Sequence, residues 1–123
     1  MEYRVFNLKM EERFGLLDLL PQQGNFATLG LIEGLRKELV PSEEDFKEMG
    51  IEENEGKIKW VREKDKGKNV EIGPKLFDII FKLLDDNEKG GRLKSQHYTL
   101  FEKIAIPHRE EEAAELEKGK SKE

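Results

Sequence analysis

The chain has 123 residues, 40% of them charged and 36% apolar, with a net charge of −5 and no cysteine. That length supports one domain around a single modest core. The lack of cysteine excludes disulfides, thiolate chemistry and sulfur-ligated zinc, and the negative balance argues against a generic nucleic-acid binder, whose affinity rests on neutralising phosphates.

In chain order, "YRVFNL" mixes β-branched and aromatic residues and suits a short strand. "KMEERFGLLDLL" follows with helical spacing at Met10, Phe14, Leu17 and Leu20, and Pro21 stops that helix. Asn25 or Gly24 can cap the next helix, whose apolar arc carries Thr28, Leu31, Ile32, Leu35 and Leu39 and which ends before Pro41. Ser42 as N-cap, acids in the first turn and Gly50 as terminator define a short third helix. The period then changes from helical to alternating. Ile58 and Trp60 fall in one strand and Val70 and Ile72 in another, around a Lys/Asp/Gly/Asn turn, so residues 57–75 read as a basic β-hairpin.

From Pro74 at a helix N1 position, Leu76, Phe77, Ile79, Ile80, Phe81, Leu83 and Leu84 cover more than half of the circumference of a central helix. "NEKGGR" makes a turn, and Ser95 can cap a last helix bearing His97, Leu100, Phe101 and Ile104. Pro107 is expected to close the fold. The expected organisation is a single α+β domain over residues 1–106, with four or five helices packed on one antiparallel hairpin and a possible N-terminal strand. Residues 107–123 read as a charged mobile tail or frayed helix. The expected core is Phe14, Leu17, Leu31, Leu35, Trp60, Phe77, Ile80, Leu84, Leu100, Phe101 and Ile104.

The run "LLDLLPQQGNFATLGLIEGLRKEL", followed by "SEEDFKEMGIEENEGKIKW", "VEIGPKLFDIIFKLLDD" and "HYTLFEKI", resembles a group of small uncharacterised proteins encoded by bacterial phages and prophages. The shared pattern is a leucine-rich first helix, a Leu-Leu-Pro-x-x-Gly-Asn-Phe break, an acidic Ser-Glu-Glu segment, a hairpin containing Trp60 and a terminal Tyr/Leu/Phe-rich helix. It spans residues 10 to 106; the charged C-terminal segment is longer here than in that pattern. The resemblance implies a phage accessory or host-interaction protein and brings no activity or catalytic residue with it.

Charge is unevenly placed. Residues 41–56 hold seven acidic and one basic side chain, and residues 57–75 hold seven basic and three acidic. Glu43, Glu44 and Asp45 on one side and Lys59, Arg62, Lys64, Lys66 and Lys68 on the other are therefore the candidate partner-binding residues. Ala27, Gly30 and Gly34 form a strip of small residues, expected to serve close helix packing within the chain or contact in a homodimer. The glycine break "QQGNF" lacks both phosphate-loop signatures and reads as a plain turn. His97 belongs to an apolar helix face, Ser42 and Ser95 suit N-caps, and no nucleophile-base pair can be assembled.

The expected function is accordingly a small non-enzymatic binding protein without metal or cofactor, acting on an unidentified protein partner as a monomer or homodimer. A nucleic-acid-binding accessory factor using the basic hairpin is the alternative. No apolar run approaches the roughly 18 residues of a membrane span, and the N-terminus does not read as a secretory signal. A cytoplasmic location without membrane association, the host cytoplasm for a phage-encoded protein, is therefore expected.

Overall fold

The structure, a computed structural model, describes residues 3–121, with side chains described through residue 117. Strand β1 (Arg4–Leu8) leads into helix α1 (Met10–Leu19), then α2 (Phe26–Leu39) and the short α3 (Glu43–Met49). Strands β2 (Glu52–Asn54) and β3 (Lys57–Lys59), a single 3-10 turn at Arg62–Lys64 and strand β4 (Lys68–Ile72) follow. The long helix α4 (Pro74–Lys89) comes next. The remainder is one continuous helical path: a 3-10 turn (Ser95–His97), α5 (Tyr98–Leu100), a wide π turn (Phe101–Ala105) and α6 (Ile106–Ser121). The α+β architecture is the one the sequence pattern implies, mostly helical with one antiparallel hairpin, and it contains in addition a second two-stranded sheet.

The strand partners differ from those expected. β4 does not fold back on residues 58–60 but pairs antiparallel with β1, with Phe6 opposite Val70 and Arg4 opposite Ile72. The hairpin is instead β2 with β3, pairing Glu52 with Lys59 and Asn54 with Lys57. Its two-residue loop is Glu55-Gly56, with φ of 52° and 78°. Positive φ at both central residues gives the turn whose twist matches a hairpin. Val70 and Ile72 need an apolar covering layer, which β1 and the core supply, whereas all six strand residues of β2 and β3 are exposed.

Leu8, Leu16, Leu20, Ile32, Leu35, Leu39, Val70, Ile72, Phe77, Ile80, Leu84, Leu100 and Ile104 build the main core. Met10, Met49 and Ile51, with Phe14 and Trp60 packed against them, form a smaller cluster beneath α3 and the hairpin. Four expected core positions are not fully buried, and one of them, Leu17, is half-buried against the edge of the main core. Phe14 and Trp60 are half-buried in the smaller cluster, their rings tilted at 5.7 Å, and Leu31 is exposed because α2 turns Ile32 and Leu39 inward instead.

The chain does not stop at Pro107. A proline within a helix removes one hydrogen bond and crowds the carbonyl four residues earlier, and the wide turn at Phe101–Ala105 absorbs that misfit immediately before it. Beyond it, His108 stands edge-on between Phe77 and Phe81, with centroids at 4.9 and 4.5 Å. Arg109 donates to Asp85 at 2.9 Å and to Glu88 at 2.8 Å, and Arg4 pairs with Glu111 at 3.2 Å. The first turns of the expected tail thus belong to the folded body; residues 122 and 123 lie outside the described residues.

Candidate functional site

Arg13 lies on the buried face of α1 beside Leu16 and is only 2% exposed. Its Nε donates to Leu39 O at 3.0 Å, and Nη2 donates to Val40 O at 3.2 Å and to Asp45 Oδ2 at 3.1 Å. One guanidinium therefore satisfies the carbonyl end of α2 and anchors the first turn of α3. Asp45 is already an N-terminal capping residue there, accepting the Ser42 N–H at 2.8 Å, while Ser42 Oγ accepts the Asp45 N–H at 3.2 Å. At the N-terminal end of α1, Asp65 accepts the N–H of Met10 at 2.7 Å and that of Gly67 at 3.1 Å. That carboxylate caps α1 from the loop leading into β4.

These anchors hold α3 and residues 62–67 on opposite sides of a cavity of about 540 Å³. Arg13, Asp45 and Asp65 line it and are spent on structure, and Glu48, Lys64 and Lys66 line it without any hydrogen bond or ion pair of their side chains among the described residues. From the acidic segment Asp45 and Glu48, and from the basic segment Lys64 and Lys66, are thus brought to one cavity. Arg13, Asp65 and Glu48 were not singled out by sequence. The available signal was Arg13, a charge set among the leucines of the buried arc of α1.

The other expected partner-binding residues divide. Glu43 and Glu44 are exposed on the first turn of α3, and Lys59 is exposed on β3. Asp45, Arg62 and Lys68 are committed within the chain. Arg62 pairs with Glu11 at 2.9 Å and stacks over Trp60, and Lys68 donates to Glu38 O at 2.8 Å. The basic hairpin 57–75 does not exist as a unit. The observed hairpin carries Glu52, Glu53 and Glu55 against Lys57 and Lys59 and is slightly acidic, while Lys68 lies in the other sheet.

The strip of small residues is also not where helices meet. A Cβ built at Gly30 or Gly34 would find nothing within 4 Å, so the intrachain close packing expected of them is absent. Gly30 and Gly34 instead wall an apolar groove of about 500 Å³ between α2 and the start of α4, whose floor includes Leu35 and Leu76. Ala27 lines a second groove of about 580 Å³ that shares Leu31 and Lys75 with the first. The glycine that does permit close approach is Gly15 on α1, where a Cβ would stand 2.9 Å from Gln96 O and 3.3 Å from Leu100 Cδ1.

The histidines have structural partners. His97 is buried, and its Nδ1 accepts the Lys94 N–H at 3.1 Å, which caps the last helical path in place of Ser95. Burial holds its pKa below the usual histidine value in spite of the nearby Asp18. Glu12 is buried too, accepting the Lys9 N–H at 2.8 Å and Lys103 Nζ at 2.6 Å through Oε1. Among the described residues, no helix is long and apolar enough to cross a membrane. Comparison with protein families, curated proteins and solved structures finds no match to this chain.

Proposed function

We propose that this chain is a small non-enzymatic binding protein, of phage-related context, that recognises a protein partner through the charged walls of the cavity between α3 and residues 62–67. The observation that carries this reading is the pairing of uncommitted charges of both signs across one opening, Glu48 on α3 and Lys64 and Lys66 on the loop. A surface that offers both signs selects a partner by charge complementarity and steers its approach. Phe46 and Val61 are exposed, and Val61 is held at the end of α3 by its N–H, which donates to Met49 O at 2.8 Å, so the two side chains add apolar area of the kind interfaces desolvate. A phosphate backbone would be attracted by the two lysines and repelled by Glu43, Glu44 and Glu48. The commitment of Arg62 and Lys68 to intrachain partners further weakens a nucleic-acid reading.

Titration of labelled mixed-sequence duplex DNA at about 150 mM salt tests this against the nucleic-acid alternative. The parent and a Lys64→Glu/Lys66→Glu variant are both expected to bind weakly. Tight parental binding that vanishes in the variant and falls steeply with salt would replace protein recognition with phosphate recognition.

A further inference from the structure

Helix α2 presents a face unlike the rest of this surface. Residues 19–32 contain no charged side chain, in a chain that is 40% charged. Yet much of that segment is at the surface: Gln22, Gln23, Asn25, Ala27 and Gly30 are exposed. Phe26, at 94%, is the most exposed large hydrophobic among the described residues. Loss of charge together with a presented aromatic ring is the composition of an interface centre. Phe26, Gly30 and Gly34 follow one another at a spacing of four, the spacing of a single surface ridge on a helix. That ridge has a protrusion at one end and, at the other, Gly34 beside the apolar groove with open space where a side chain would be. Gly30 lies midway.

We propose that α2 is a homodimer interface, in which two copies cross about a two-fold axis at Gly30 and each Phe26 ring lies on Gly34 of the other copy, at the mouth of its groove. A two-fold contact requires one patch to complement itself, with protrusion and notch equally far from the axis on opposite sides. The order Phe26, Gly30, Gly34 meets that requirement, and a different partner would need only one of the two features. Ridges of this spacing are inclined to the helix axis, so aligning them sets the two helices at roughly 50° to antiparallel. Gly30 against Gly30 lets the backbones approach closely there. The same symmetry brings Glu33, Lys37 and Glu38 opposite Ala27, Gln23 and Gln22, so no like charges are opposed. None of these residues lines the cavity beside α3, so this contact and partner recognition are separate.

Sedimentation across a concentration series, together with cysteine cross-linking, tests the interface. The parent is expected to be dimeric, and Phe26→Asp and Gly34→Leu are each expected to be monomeric with unchanged helical circular dichroism. Because the parent has no cysteine, Gly30→Cys provides a clean reporter at the axis. Mild oxidation is expected to join its two copies covalently far faster than copies of the exposed control Lys57→Cys. A parent that is monomeric throughout the series, a dimer that persists in Phe26→Asp, or Gly30→Cys cross-linking no faster than the control would each overturn the proposal.

Discussion

Arg13 Nη2 lies 3.1 Å from Asp45 Oδ2, and the same guanidinium fills the acceptors left open at the end of α2. The pair joins three helices at one point. Arg13 is almost wholly buried and Asp45 only partly so, so the cost of breaking the pair falls mainly on whatever is left unpaired inside.

Replacing Arg13 by methionine keeps much of the volume but strands Leu39 O, Val40 O and the Asp45 carboxylate. The expected loss is about 3 kcal/mol in urea unfolding, the lower end for breaking a buried pair from one side. The pH dependence has a definite sign. Burial alone would raise the Asp45 carboxyl, but the Ser42 N–H and the Arg13 guanidinium outweigh it and hold the group below its ordinary value. A depressed folded-state pKa stabilises the protein fully above the unfolded value of about 4, and that contribution is lost as pH falls through the folded value. The stability gap between the parent and Asp45→Asn at neutral pH is therefore expected to close on acidification below about pH 4. A gap that stays constant down to the acid unfolding limit would contradict this role.

Gly15 and Gly34 are expected to respond in opposite directions to the same substitution. Alanine gains about 1 kcal/mol over glycine in a helix interior. At Gly15 the new methyl meets Gln96 O at 2.9 Å. Backbone cannot move aside cheaply, so Gly15→Ala is expected to lose about 1 to 3 kcal/mol, the range for overpacking. At Gly34 the space is open, so Gly34→Ala in a monomeric Phe26→Asp background is expected to gain most of the propensity difference. Urea midpoints of the two variants against their own parents decide the matter, and a stabilised Gly15→Ala would show that α1 and residues 95–100 are not in close contact.

Local signals in the sequence located those elements that local chemistry determines. Ser42 and Gly50 bound α3 because one has the side-chain acceptor and the other takes φ of 59°, and Pro74 opens α4 at a position that needs no N–H donor. What was not legible depends on distant partners. Val70 and Ile72 alternate equally well beside Ile58 or beside Phe6, and only the buried layer under β1 decides between them. The Glu55-Gly56 turn carries little local signal because glutamate rarely takes positive φ, whereas the Lys/Asp/Gly/Asn run downstream has the stronger turn chemistry. Gly30 and Gly34 looked like a packing strip by spacing alone, yet spacing cannot say whether a helix lies opposite. At the candidate site, the segment charges were readable but their facing was not, since Asp65 reaches α1 across 55 residues of chain.

Affinity capture from a bacterial host lysate, run in parallel with the parent, with Glu43→Lys/Glu44→Lys/Glu48→Lys and with Lys64→Glu/Lys66→Glu, tests the central claim most directly. None of these five side chains has a hydrogen bond or ion pair among the described residues, and the Ser42–Asp45 cap that starts α3 is kept, so both variants are expected to fold, the first with a small loss of stability from lysines at the N-terminus of α3. The account expects one protein to be retrieved in near-stoichiometric amount by the parent and to be lost from both variants, because it contacts the lysine wall of the cavity and the acidic face of α3, where Glu48 lines the cavity and Glu43 and Glu44 are exposed on the same helix. Retention of that protein by both variants would contradict the account.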